Sequence, residues 1–203
     1  MLKKTSLSEQ AYHILAEKII SGEYPGGTRL VEEELTREFG ISRTPVRDAL
    51  RRLEGEELIE PLPKRGFQVR QLDNEAVNEL YNCRTRIELL ALESAIKRLS
   101  PDELHALKRE LQEDNSLETS LAVDEKFHFL IARCCDNRYL RQILEKLIRQ
   151  TAPFRAHRNY STRVEELNAE RITVLNSLLA GDYESAARLL EQHIGKGKIN
   201  KKP

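Results

Sequence analysis

Two groups of side chains in this sequence are spaced to do chemistry. Ser42-Arg43-Thr44-Pro45-Val46-Arg47-Asp48-Ala49-Leu50-Arg51-Arg52 crowds arginines into one short segment. Guanidinium forks match phosphate oxygens and the guanine edge, so these arginines offer recognition of a nucleic acid rather than bond making. Further along, Asp124 and His128 stand four residues apart. On a helix that spacing places a carboxylate and an imidazole on one face, where both can reach the same ion. The plain alternatives are a solvated arginine-rich face and an ordinary surface pair.

The arginines need a helix to carry them. Val46, Ala49, Leu50 and Leu53 recur at helical spacing, Ser42 and Thr44 are good helix starters, and Pro45 fits a first turn. A helix is therefore expected to begin between Ser42 and Pro45. Leu30, Val31, Leu35 and Phe39 mark a preceding helix that stops at Gly40, the residue that best tolerates a left-handed helix end. Two helices around a short glycine turn make a helix-turn-helix, whose second helix lies in the major groove of double-stranded DNA. Ser42, Arg43, Thr44 and Arg47 lead that helix and Arg51 follows. Ala11, Ile14, Leu15 and Ile19 predict another helix over 8–21. After the arginine helix, Leu58 to Arg70 reads as two extended runs around a Lys64-Arg65-Gly66 tip, a hairpin able to reach phosphates or a minor groove.

From Asp73 onward the pattern is helical almost throughout, with helices expected over 73–99, from Ser100-Pro101, and over 121–134, 138–155, 163–179 and 183–194. The fold class is mainly α. A winged helix-turn-helix over 1–72 precedes an all-α antiparallel bundle over 73–203. The 33 basic and 33 acidic residues cancel, so nucleic-acid binding requires a local basic surface. No run approaches the roughly 20 apolar residues of a membrane span, and Met1-Leu2-Lys3-Lys4-Thr5 leads into polar sequence, which predicts a cytoplasmic protein with no membrane partner. Cys83, Cys134 and Cys135 form no CxxC pair, so they are expected as reduced, mostly buried thiols without a zinc-thiolate site. No glycine-rich phosphate loop, nucleophile elbow or internal repeat is present.

Ile19-Ile20-Ser21-Gly22, Pro25-Gly26, Leu30, Leu35, Phe39 through Leu50, and Arg65-Gly66-Phe67-Gln68-Val69 together resemble the winged helix-turn-helix of GntR-type bacterial transcription regulators. The likeness covers residues 7 to about 70. Glu57 stands where that family usually has glycine, so the exit from the arginine helix is expected to bend differently. Arg84 with Glu88, Asp124 with Phe127-His128, Asn137, Glu170, Leu178, Gly181-Asp182, Ala186 and His193 resemble the FCD-type effector domain of the FadR-like branch.

The resemblance implies a ligand-responsive regulator, not an enzyme, that binds an operator and takes a small organic acid in its bundle; a homodimer is expected because one small winged helix reads few base pairs and a palindromic operator needs two-fold symmetry. It also implies a divalent ion (zinc, nickel or manganese) on Asp124, His128 and His193, and an effector contact from Arg84. Arg84 has a plainer alternative in an ion pair with Glu88. The family's fourth metal ligand, a histidine, falls on Arg171, which carries only donors and cannot ligate. Either three ligands keep the metal, or Arg171 pairs with Asp124 and presents its fork to an anionic effector. Two rival functions stand beside this: a metal-dependent enzyme using Asp124, His128 and His193, and a constitutive DNA-binding protein whose bundle only dimerises. His13, His105 and His157 read as surface or interface residues.

Overall fold

The computed structural model describes residues 6–63, 66–156 and 163–199, and these form two compact units. The first contains α1 (Leu7–Ile20), β1 (Arg29–Leu30), α2 (Glu32–Phe39), α3 (Arg43–Gly55), β2 (Ile59–Leu62) and β3 (Gly66–Val69). Ser6 starts α1 by accepting a hydrogen bond from the Glu9 N–H at 3.2 Å. Packing of α1 on α3 buries Leu15, Ile19, Val46, Leu50 and Leu53 in one core with Ile59 and Val69 from the hairpin. Between the same helices Arg52 lies over the Tyr12 ring, 3.6 Å from its centroid, while the Tyr12 hydroxyl donates to Glu56 at 2.7 Å.

The strands form an antiparallel sheet in the order β1-β3-β2, with Arg29 opposite Gln68 and Ile59 opposite Val69. Leu30, expected to open a helix, instead lies in β1 and is buried against the wing; α2 starts two residues later. Gly66 is required at the start of β3. Its φ is +84°, and a Cβ there would sit 2.8 Å from the Leu30 carbonyl oxygen. Lys64 and Arg65, the expected wing tip, lie outside the described residues, as does His157.

The second unit holds α4 (Asn74–Ala95), a 3-10 turn (Ile96–Arg98), α5 (Pro101–Glu113), α6 (Leu117–Cys134), α7 (Arg138–Ala156), α8 (Val164–Leu179) and α9 (Tyr183–Gly195), apart from the last turn of α7. Here α4 packs on α6 and α9, α5 on α6 and α8, and α8 on α9. The helix expected over 73–99 ends early, tightening into the 3-10 turn after Ala95. The next differs in the other direction: α6 begins one turn ahead of Leu121, because Ser116 caps it by accepting from the Thr119 N–H at 3.1 Å. Cys135 is buried, Cys134 half-buried and Cys83 exposed on α4, so burial of the thiols is correct for one of the three. Among the described residues no helix is long and apolar enough to cross a membrane.

Glu57 corrects another expectation. It keeps the left-handed conformation that glycine adopts readily, φ +58°, and its carboxylate accepts from Arg70 Nη1 at 2.9 Å. The chain therefore turns as a glycine would turn it, with the cost carried by the side chain, on the order of 1 kcal/mol. Both Glu57→Gly and Glu57→Ala lose the Arg70 pair, but only glycine relieves that cost. We expect Glu57→Gly to be more stable than Glu57→Ala by about 1 kcal/mol in urea unfolding; equal midpoints would show that this φ carries no strain.

Candidate functional site

The basic edge is built where α2 meets α3. Burial of Val46, Ala49, Leu50 and Leu53 against α1 rotates the other side of α3 outward, leaving Ser42, Arg43, Thr44, Arg47 and Arg51 exposed. Ser42 holds an extended backbone at the N-cap (φ −70°, ψ 166°) without capping through its hydroxyl. Gly66 is exposed at the start of β3. Two of the arginines are already engaged within the chain. Arg43 Nη2 donates to Glu33 Oε1 at 2.7 Å, and Arg47 grips Glu32 through Nε and Nη2 at 2.9–3.3 Å. Hydrogen bonding from Arg47, opposed by partial burial, holds the Glu32 carboxyl below its ordinary value. Neither glutamate stood out in the sequence.

In the second unit Arg84, Glu88, Asp124, His128, Arg171 and His193 are all buried and form one polar chain with Ser120, Thr151 and Asn168. On α4, Arg84 donates to Glu88 Oε2 at 3.1 Å and to Thr151 Oγ1 on α7 at 2.8 Å. Glu88 Oε1 then meets His128 Nδ1, turning Nε2 toward Asp124 Oδ1 at 3.5 Å. That oxygen is the focus of the cluster: it accepts from Arg171 Nε at 2.9 Å and faces His193 Nε2 at 2.9 Å. Arg171 Nη1 reaches Ser120 Oγ at 2.7 Å and Asn168 Oδ1 at 3.1 Å. Among the described residues, Arg84 Nη2 and Arg171 Nη2 have no acceptor. Arg84 is thus paired with Glu88, as its plainer reading has it, with Nη2 left over.

Burial pushes the Glu88 carboxyl up, but the charges of His128 and Arg84 outweigh it and the value lies below normal. His193 is displaced the opposite way. Burial lowers it, while the Asp124 and Glu170 carboxylates raise it above its ordinary 6.5. Glu170 lies 3.9 Å from His193 Nδ1, beyond hydrogen-bond reach but close enough to act through charge. Burial raises Glu170 in turn, and His193 and Lys196 overcome this, holding it at about 2.

The ligand atoms of Asp124, His128 and His193 lie within 4.8 Å of one another. A metal would have to bond all three at about 2.0–2.2 Å. Arg171, however, already donates to the shared carboxylate oxygen, and its fixed charge lies beside the space that an ion would fill. Arg84 pairs with Glu88 and Arg171 with Asp124, so each buried carboxylate already has a fixed cation beside it. The three donors are brought together, and the fixed charge of Arg171 beside them opposes a divalent ion there.

Comparison with known proteins matches residues 7–69 to the family described as bacterial regulatory proteins, gntR family, and residues 79–196 to the FCD domain. The HTH-type transcriptional regulator YdhC of Bacillus subtilis is 33% identical over 150 residues, 70% of this chain and 67% of its own length. The Nta operon transcriptional regulator of Aminobacter aminovorans is 30% identical over 87% of this chain and 86% of its own. Among solved structures, E. coli McbR/YncC superposes with a TM-score of 0.82 over 95% of each chain at 24% identity, a likeness of fold.

The His193 shift has a sign that can be checked. An imidazolium stabilised in the folded state contributes fully below the unfolded value near 6.5, and that contribution is lost as pH rises through the raised folded value. The stability gap between the parent and His193→Gln should therefore be widest near pH 6 and shrink toward pH 9 in thermal melts. A gap that grows with pH would mean that His193 is held neutral, as a metal-bound imidazole is.

Proposed function

From the premise that this chain belongs to the GntR family of bacterial transcription regulators, in the branch that carries an FCD domain, we propose how its two units divide the work. The chain is a transcription regulator and not an enzyme. Regulators of this family bind DNA operators, typically as dimers. In our reading residues 1–72 hold the operator and residues 73–203 bind an effector and join two copies. Such a protein works in the cytoplasm, where its operator is.

The exposed leading edge of α3 supports Ser42, Arg43, Thr44, Arg47 and Arg51 as the DNA-reading set, with Lys64, Arg65 and Gly66 of the wing on the backbone. Arg43 and Arg47 exchange Glu33 and Glu32 for bases or phosphates on binding. Arg43→Ala and Arg47→Ala should each weaken operator binding and relax base preference, since a bidentate arginine–guanine contact is worth about 1–3 kcal/mol of discrimination. Fluorescence anisotropy with operator and scrambled duplexes measures this. Unchanged preference in both variants, with helical content intact, would remove α3 from the reading role.

For the bundle, the carrying observation is the pair of buried guanidinium groups, Arg84 and Arg171, each with Nη2 left without an acceptor. Buried donors are expensive to leave unpaired, by about 1–3 kcal/mol each. A bundle serving only to dimerise gains nothing from that cost, whereas a small carboxylate that accepts from one of them reduces it. The effector is accordingly read as an organic acid bound without a metal, with Arg171 in place of the ion. Its binding alters DNA affinity only through a preference for one arrangement of the dimer over another.

Arg171→His tests this directly. It removes the cation and adds an imidazole to Asp124, His128 and His193, so affinity for zinc, nickel or manganese should rise at least tenfold in calorimetry on chelator-treated protein. Tight binding of the same metals by the parent, unchanged by the substitution, would show that Arg171 does not replace the ion.

A further inference from the structure

The exposed face of α4 carries a second message. Leu90 is 54% exposed in mid-helix and Tyr183, at the start of α9, 43% exposed. Both line one open groove of about 640 Å³ between α4 and α9, with Ala187 on the α9 wall and Arg86 and Glu93 on the α4 wall. Exposed apolar residues converging on one groove, rather than scattered singly, mark a surface that is covered in use. Among the described residues, the remaining large exposed apolar side chains, Leu7, Ile14, Tyr139 and Ile143, lie on α1 and α7, away from this groove's walls.

The charges around Leu90 indicate what covers it. Arg86 and Glu93 are both exposed and stand equally far on either side of the Leu89–Leu90 midpoint, about 5 Å along the axis at 1.5 Å per residue. When two such helices cross antiparallel about a two-fold axis at that midpoint, Arg86 meets the partner's Glu93 and Glu93 meets the partner's Arg86, with Leu90 and its counterpart between them. A parallel crossing sets like charges against each other. The pattern is thus self-complementary in the manner of an isologous interface, where one patch serves both copies. Arg86 is free to turn outward: its intrachain partner, Glu191, is 3.7 Å away and its side chain 78% exposed.

We propose that the α4–α9 groove is the surface through which two copies of this chain dimerise, crossing antiparallel at Leu89–Leu90 with reciprocal Arg86–Glu93 pairs. The proposal rests on the reading of the chain as a dimer and says where that dimer is held.

Analytical ultracentrifugation of the full chain across a concentration series tests it, with circular dichroism confirming fold. The parent should sediment as a dimer. Leu90→Glu, Arg86→Glu and Glu93→Arg should each weaken association at least tenfold. The decisive arm mixes two of the weakened variants: Arg86→Glu leaves only negative charge at both positions and Glu93→Arg only positive, so their equimolar mixture should recover parental association as a heterodimer. The double variant Arg86→Glu/Glu93→Arg should recover it with itself. A dimeric parent whose folded variants all stay dimeric would overturn this interface, leave the dimer reading intact and release the groove to another partner. A parent that is monomeric at every concentration would overturn both.

Discussion

The bundle is organised around a charge that it cannot leave alone. Arg171 is 1% exposed, and a guanidinium cannot shed its proton to escape a low-dielectric interior as a lysine or histidine can. The buried polar groups around it are arranged as a consequence. Asp124 answers its charge, Ser120 and Asn168 take its second nitrogen, and His193 closes on the same carboxylate oxygen. The partners come from α6, α8 and α9, and the Glu88 and His128 link carries the constraint across to Arg84 and α7. Removing one member of a buried pair strands the other at a cost of about 3–5 kcal/mol, a large share of the stability of any domain. The helices are therefore fixed in register by polar geometry as well as by their leucines.

This differs from what a metal would do at the same place. An ion would draw Asp124, His128 and His193 together and leave open positions for a ligand. In the reading proposed above, a guanidinium performs the first task through hydrogen bonds and offers its own N–H for the second. The substitution exchanges an adjustable Lewis acid for a permanent charge with directional donors, so selectivity shifts from coordination geometry to the match between fork and acceptor.

Much of the first unit was legible in the sequence because its signals are local. The apolar spacing from Val46 to Leu53, the stop at Gly40 and the proline in the first turn each act within a few residues. Leu30 was misplaced in a helix because its partner strand lies far along the chain, at Phe67. The pairs Arg43–Glu33 and Arg47–Glu32 were missed for a similar reason, since only the fold brings residues ten and fifteen apart together. In the bundle, Asp124 and His128 announce themselves by spacing, whereas Ser120, Thr151 and Asn168 are unremarkable residues until burial makes their oxygens indispensable. Glu57 is the reverse case: the sequence showed the departure from glycine, but not that its backbone would tolerate it.

The glutamates at the start of α2 have one more consequence. A reading head with bare arginines adheres to any stretch of duplex, because phosphates are everywhere and the gain from expelling condensed cations is the same at each. With Arg43 and Arg47 reading DNA as proposed above, Glu32 and Glu33 occupy part of the place of those phosphates before any DNA arrives. Contact with random sequence must first break two internal pairs, and it returns only a comparable attraction to the backbone. A matching site returns base contacts as well. The acidic turn thus acts as an internal standard against which each encounter is compared, shortening residence on the wrong sequence and leaving the protein free to continue its search along a long genome.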